Sequence, residues 1–338
     1  MNEFSPDMIF KELYARAPEL SYEKCGSQAG YKDALAAKLA ELLGEMPEKV
    51  DPEPRTVWVK DRRVYLEKRI VFRTEKDVWA PCCLLVPKNA KGPLPAVICL
   101  QGHSPGMHIS LGHPKTLKDL RSIRSGERDY AVQAVKRGYC ALALEQRGFG
   151  ERQSSLAVKR SKRCDFIAYN ALLFGRTLLG QRVWDVSRAI DLLETLPEVD
   201  SSKIACLGNS GGGTVTYYAA CVDKRIKLAM PSCSVCTYRD SIGSVYHCAC
   251  NYIPNSARYF DMGDLALLIA PRPLIVVAGK KDTIFPIKGV RETYALIRKI
   301  YEDTGAGDRC RLVEGEGGHR FYSQAWKEFG ALFSSEVK

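Results

Sequence analysis

The chain has 338 residues, 46% of them hydrophobic, enough for a sizeable core in one large domain or two small ones. No apolar run is long enough to span a bilayer, and the N-terminal stretch carries early acids without an apolar core and small-residue cleavage site, so it does not read as a signal peptide. The net charge of +11 raises nucleic acid as a partner, but the densest basic group, Lys159, Arg160, Lys162 and Arg163, lacks interleaved aromatics and reads as a solvated loop. These readings place the chain in the cytoplasm, with neither nucleic acid nor membrane as a partner. Thirteen cysteines, an odd number, are then expected as reduced thiols. Cys82, Cys83, Cys99, Cys140 and Cys206 sit within apolar runs and read as small core residues.

Residues 6–44 read as helical, in two segments separated near residues 25–30. They make up an N-terminal extension, residues 1–54, which reads as a cap or a contact in a homo-oligomer. Pro47, Pro52 and Pro54 mark its exit. A second unit, residues 55–338, begins with strand-like runs at 57–59, 64–66, 70–72 and 80–86, an antiparallel lead-in to a sheet. The turn at 91–93 leads into a buried strand at 95–100, which ends in the glycine-containing loop 101–106. Residues 104–125 read as irregular and 127–137 as a helix. Then come a strand at 139–144 and a charged turn at 145–151, either a brace for neighbouring loops or a solvent-facing turn.

Residues 167–196 read as a long helical region, broken near Gly175 and Gly180 and stopped by Pro197. An apolar run at 204–207 follows, then Gly208-Asn209-Ser210-Gly211-Gly212, then a helix-compatible stretch of small residues. Further strands are expected at 226–230, 273–278 and 310–313, and helices at 262–269, 287–301 and 322–333. Strands alternating with helices from residue 95 onward point to a parallel sheet covered on both faces. Within 231–262, Cys233-x-x-Cys236 and Cys248-x-Cys250 offer zinc-ligand types, but the second pair is closer than the usual knuckle spacing, and the four read as reduced thiols packed in a structured loop. Asn251, Tyr252 and Tyr259 in this segment, and Gln101 after the 95–100 strand, are candidate substrate contacts.

Gly208 to Gly212 fits G-x-S-x-G. A strand that turns sharply into a helix lifts its serine hydroxyl above the sheet, and the flanking glycines leave room for the crossing backbone. A serine hydroxyl needs a base beside it, a histidine serves best near neutral pH, and a carboxylate fixes that histidine's tautomer. The chain offers Ser210, Asp282 and His319, each in a loop after an expected strand, with Glu314 and Glu316 too near His319 in sequence to approach it from a separate strand. The order Ser…Asp…His is that of an α/β-hydrolase. The backbone N–H groups of Gly211 and His103 are the candidate oxyanion donors, and the His103 side chain reads either as a substrate contact or as a loop anchor.

The segments QGHSPG (101–106), EQRGFGE (145–151), GNSGGG (208–213), APRPLIVVAGKKDTIFP (270–286) and GGHRF (317–321) together resemble the α/β-hydrolase superfamily, in its dienelactone-hydrolase-like and acetyl-xylan-esterase-like branch. The resemblance spans about residues 60–335. It implies an α/β fold with a mostly parallel central sheet flanked by helices, and a serine carboxylic-ester hydrolase that deacetylates a carbohydrate or small-molecule ester without a metal or organic cofactor. Two departures stand out: many relatives carry histidine where this chain has Gln101, and dienelactone hydrolases use a cysteine nucleophile where this chain has Ser210. A peptidase or lactonase on the same scaffold, or a non-catalytic binding protein, is the alternative. Basic loops at 115–128 and 159–163 add the expectation of an anionic substrate.

Overall fold

The structure, a computed structural model, describes residues 4–88, 90–156 and 163–336. Three of the four residues in the basic group, Lys159, Arg160 and Lys162, lie outside the described residues.

The described residues build a nine-stranded sheet: β1 (Arg55–Asp61), β2 (Tyr65–Glu75), β3 (Val78–Pro87), β4 (Leu94–Leu100), β5 (Cys140–Leu144), β6 (Val199–Asn209), β7 (Ile226–Ser232), β8 (Leu274–Gly279) and β9 (Cys310–Gly315). Their spatial order is β1-β2-β3-β5-β4-β6-β7-β8-β9. The lead-in β1-β2-β3-β5 pairs antiparallel, and β5 through β9 pair parallel. The chemistry of the strands explains this split. Edge strand β1 alternates no apolar face inward and is largely exposed, whereas β5 and β8 are buried at every residue, as parallel strands covered on both faces must be. On β6 the residues that are not buried are confined to its first half.

Each face of the sheet carries its own core. On one face, helices Leu178–Glu194, Gly211–Val222 and Ile287–Asp303 pack with alternate residues of the strands. Helix Tyr31–Leu43 joins this same core through Tyr31, Leu35, Leu39 and Leu43, a spacing of four that keeps one stripe inward. The second face is closed by helix Tyr130–Val135 and by the aromatic cluster of Phe321, Trp326, Phe329 and Phe333.

Two stretches depart from the sequence reading. Residues 104–125 are not irregular throughout: helix Leu117–Gly126 starts there on a capping box, with the Thr116 hydroxyl accepting from the Asp119 N–H at 3.1 Å and the Asp119 carboxylate accepting from the Thr116 N–H at 3.0 Å. Glu127, left-handed at φ 50°, ends that helix, so the next is short, Tyr130–Val135. The region expected at 167–196 is two helices, Arg163–Leu173 and Leu178–Glu194. The break falls at Gly175 (φ 68°), while Gly180 stays helical because its missing side chain lets Leu43 approach.

Registers bring the functional loops together. Leu100 pairs with Gly208 across β4 and β6, Asn209 pairs with Ser232 across β6 and β7, and Gly279 pairs with Gly315 across β8 and β9. The loops that follow β4, β6, β8 and β9 therefore leave the sheet at one edge, the carboxyl ends of the parallel strands, where open α/β sheets form their crevices.

Candidate active site

Ser210 stands between β6 and helix Gly211–Val222 with φ 57° and ψ −127°, a conformation that a residue with a side chain rarely adopts. Its N–H donates to the Ser232 carbonyl at 2.8 Å, which fixes the turn against β7. The glycines are there for space: a Cβ at Gly208 would lie 2.4 Å from the Gly212 carbonyl oxygen, and one at Gly212 would lie 2.1 Å from the Leu100 carbonyl oxygen. No side chain fits either contact, so the strand, turn and helix can cross only with glycine at both places.

His319 and Asp282 meet as their neighbouring strands suggest. The His319 Nδ1 lies 2.8 Å from Asp282 Oδ2. The other carboxylate oxygen accepts from the N–H groups of Ile284 at 2.8 Å and Phe285 at 3.2 Å. Burial alone would push the Asp282 carboxyl up, but the imidazole and these two N–H groups outweigh it and hold the group below its ordinary value. Asp282 is thus an anion whose orientation is fixed from both sides. The His319 ring stacks on Phe285, with centroids 6.0 Å apart and planes at 14°.

Ser210, Gly211, His103, Asn251 and His319 line one cavity of ≈ 260 Å³, with Phe285, His247 and Arg128 also in its wall. Among the described residues, neither the His103 nor the Gly211 N–H donates to a protein acceptor. A second cavity of ≈ 510 Å³ adjoins the first and shares His103, Ser104, Arg128, Tyr246 and Cys248 with it.

Two sequence expectations, for Tyr252 and Tyr259, change, and two more, for Gln101 and the cysteines, gain detail. Tyr252 does not reach the cavity; it is 42% exposed, and its hydroxyl donates to the Ile242 carbonyl at 3.1 Å. Tyr259 turns away to the N-terminal segment, where Lys38 Nζ sits 4.4 Å from its ring centroid. Gln101 lines the cavity, but it is buried and its amide donates to Glu145 Oε1 at 2.7 Å, so its side chain braces the loop. The paired cysteines separate: Cys233 lies beside Asp282 and His319, while Cys248 and Cys250 meet His103 and Cys164. Burial drives the Cys233 thiol up to about 12, so at neutral pH it is a neutral donor to the Arg320 carbonyl, 3.2 Å away.

Glu145, in the turn after β5, is the brace itself. Its carboxylate also accepts from the Met107 N–H at 3.1 Å, so it clamps both ends of the loop that carries His103. Burial pushes it up to about 7. Arg147, two residues on, is held by Asp185 through two contacts of 2.8 Å, and Arg152 reaches the same carboxylate at 2.6 Å. Burial opposes the charge on Asp185, but the two guanidiniums win and hold it at about 2. Sequence reasoning gave no role to His247. Its ring packs edge-on to Phe285, its Nε2 lies 3.1 Å from the Ser241 hydroxyl, and burial, with help from nearby His103 and His319, lowers it to about 4. It is a neutral wall of the cavity.

The parallel sheet, the strained serine between strand and helix and the histidine–carboxylate pair at neighbouring strand ends define an α/β-hydrolase. The chain belongs to the Abhydrolase family, whose model matches residues 9–313. It is 27% identical over 290 residues to a Bacillus subtilis (strain 168) protein provisionally named the hydrolase YtaP, covering 83% of this chain and 92% of that one. Among solved structures, one provisionally named an acetyl xylan esterase, from Bacteroides fragilis NCTC 9343, superposes with a TM-score of 0.76 at 18% identity, over 93% of this chain and 82% of that one. A glucuronoyl esterase from Solibacter usitatus superposes with a TM-score of 0.69 at 16% identity, over 94% of each chain. Among the described residues no helix is long and apolar enough to cross a membrane.

Proposed function

We propose that this protein is a serine carboxylic-ester hydrolase that removes an acetyl or another short acyl group from a carbohydrate or small-molecule ester. The observation that carries the reading is the convergence of Ser210 and the Asp282–His319 pair on one small cavity. Ser210 attacks the ester carbonyl, His319 takes the hydroxyl proton and passes it to the leaving alkoxide, and Asp282 holds the imidazole in the tautomer that keeps Nε2 free as an acceptor. The N–H groups of Gly211 and His103, with no protein acceptor of their own among the described residues, receive the oxyanion. Water, activated by the same histidine, then releases the acyl group.

Size supports a short acyl group. At ≈ 260 Å³ the inner cavity falls below the range of about 300–1,000 Å³ usual for drug-sized ligands, and the adjoining ≈ 510 Å³ has room for the alcohol portion. The name acetyl xylan esterase, of one solved structure that shares the fold, points the same way, and the name glucuronoyl esterase, of another, supports a carbohydrate ester. The cysteines, all free among the described residues, suit a reducing cytoplasm.

The test is hydrolysis of p-nitrophenyl acetate, butyrate and octanoate by the wild type and by Ser210→Ala. Preference for acetate, lost on substitution, is expected; activity that survives the substitution removes Ser210 from its role. One observation favours a narrower reading. Among the described residues Arg128 is the sole lysine, arginine or carboxylate in the wall of the inner cavity, it lines the outer cavity as well, and its buried Nε has no protein partner there. A carboxylate or phosphate on the substrate fits that position. Equal, salt-insensitive rates on matched neutral and anionic esters would remove this narrower reading.

A further inference from the structure

The loop after β4, the start of helix Arg163–Leu173 and the segment after β7 meet at a point that the ester chemistry does not use. There His103, Cys164, Cys248 and Cys250 each present one ligand atom, and all four atoms lie within 4.8 Å of one another. The closest approach is His103 Nε2 to Cys250 Sγ, 3.1 Å. From these four side chains we propose a tetrahedral binding site for a thiophilic divalent cation, zinc being the best fit.

Three observations carry the assignment. The donor set is three thiols and one imidazole, the Cys₃His combination of closed structural zinc sites. In such a site the bond lengths, about 2.3 Å for sulfur and 2.0–2.1 Å for nitrogen, put neighbouring ligand atoms about 3.5–3.8 Å apart, so no pair in this cluster has to close by more than about 1 Å, and the His103–Cys250 pair opens by about 0.4 Å. The backbone that presents the thiols is tied in place: the Ala249 N–H, between Cys248 and Cys250, donates to Asp165 Oδ1 at 2.8 Å, and Asp165 adjoins Cys164 on its helix. The surroundings also supply the missing charge. Arg182 is 2% exposed, it donates to Cys164 Sγ at 3.2 Å, and its guanidinium lies 4.3 Å from the Phe149 ring centroid. It also donates to the Arg147 carbonyl and interacts with Cys250, and among the described residues it makes no ion pair with a carboxylate. A divalent ion with three thiolates and a neutral imidazole has a net charge of −1, which this buried, permanently charged guanidinium neutralises. Without the ion the three cysteines are neutral thiols, and the Arg182 charge stands uncompensated beside an apolar pocket formed by Phe149, Ala168 and Leu178.

All four positions are filled by the protein, so the ion is structural, with no open place for water or substrate. Its position gives it a consequence. A Cβ on Gly211 would lie 3.0 Å from His103 Nδ1 and Cε1, which places the ligating ring against the residue that follows Ser210. Ligation through Nε2 would pin the loop carrying the His103 N–H to the segment after β7 that walls the cavity. On binding, each thiol gives up its proton to solvent as its sulfur lone pair takes the metal, and no oxidant is involved.

The test reads metal rather than activity. The full chain is purified under reducing conditions, and zinc is counted by plasma mass spectrometry. About one zinc per chain is expected in the wild type and in Ser210→Ala, with loss to background in Cys164→Ser/Cys248→Ser and retention in Cys25→Ser/Cys310→Ser. Cobalt exchanged into the wild type should give the thiolate charge-transfer band and strong visible bands of a tetrahedral thiolate site, a readout that stands even if the double variant does not fold. Cys248, half-buried, should resist alkylation until a chelator is added. A folded wild type that takes up neither zinc nor cobalt in reducing buffer overturns the site, as does zinc retained by the double variant or a disulfide joining two of the three cysteines. Because Ser210→Ala should keep its metal, the site and the esterase reading fail separately.

Discussion

Two walls of the same cleft were built by different means. On one side, Ser210, Asp282 and His319 sit at the ends of β6, β8 and β9, each one short turn from a strand of the parallel sheet. On the other, His247, Cys248 and Asn251 come from a long excursion after β7 that has little regular structure. The first wall is positioned by the sheet itself, since strand registers decide which loops are neighbours. The second is positioned by side chains finding distant partners: His247 against Phe285, the Ala249 N–H on Asp165, His103 beside Cys250. A sheet-borne wall should tolerate loss of a functional group with its geometry intact, so that substitutions there change chemistry. A wall assembled from long-range contacts should respond through stability and loop order.

Substitutions can break this contrast, and the largest effect belongs on the strand-end side. Asp282→Asn keeps an oxygen for the N–H groups of Ile284 and Phe285 but presents a donor to His319 Nδ1, which favours the wrong tautomer. A fall in kcat of about 10⁴ with little change in unfolding midpoint is expected. A loss of less than tenfold in steady-state assays would show that the carboxylate does not orient the imidazole.

Asp185→Asn should do the reverse. It leaves buried Arg152 without an ion-pair partner among the described residues and Arg147 with Glu75 alone, and denaturant unfolding should show a loss of about 3–5 kcal/mol, while the KM of whatever folds stays near the wild-type value. A loss below 1 kcal/mol would mean that the two guanidiniums find other partners.

Glu145→Gln gives a smaller effect, tied to pH. Its carboxyl stands at about 7 in the folded chain against an ordinary 4.5. Between those values the folded protein keeps a proton that the unfolded chain releases, so the contribution to stability is complete below pH 4.5 and is lost as pH rises through 7. The amide cannot lose that proton, so the stability of the variant relative to wild type should rise by about 3 kcal/mol at most between pH 4.5 and 8. A flat difference across that range would mean that Glu145 is already ionised when folded. The smallest effect is expected for Arg128→Gln. Its Nη2 donates to the His319 carbonyl at 3.2 Å, so both neutral and anionic esters should slow, and the ratio of their kcat/KM values isolates the charge. That ratio should shift several-fold toward the neutral ester at low salt; an unchanged ratio discards Arg128 as a carboxylate partner.

What could be read from the sequence follows the same division. The Ser210 turn, and the loops of Asp282 and His319, were legible because each is a local unit of strand followed by glycine-rich turn, and the spacing carries the geometry. Helix Leu117–Gly126 was also legible in principle, since Thr116-x-x-Asp119 spells its capping box, but its weakly apolar pattern hid it within an irregular stretch. Gln101 and Glu145 lie 44 residues apart, and nothing along the chain announces that the amide turns inward onto the acid. Tyr252 is two residues beyond Cys250, close enough in sequence to be chosen as a contact, yet the 3-10 turn Ala249–Asn251 sends it outward to the Ile242 carbonyl. The spacing of the two cysteine pairs argued against one shared site, and β7 does place Cys233 at the triad, but nothing local announces the partners of the second pair, His103 and Cys164, which are 145 and 84 residues away from Cys248.

The central claim is that Ser210 is a nucleophile activated by His319. The most direct measurement is the intact mass of the protein after exposure to a fluorophosphonate, with the modified peptide located by tandem mass spectrometry. The account predicts one adduct, on Ser210, formed at least a hundredfold more slowly in His319→Ala and absent in Ser210→Ala. An adduct elsewhere, or a folded protein that forms none, would contradict it.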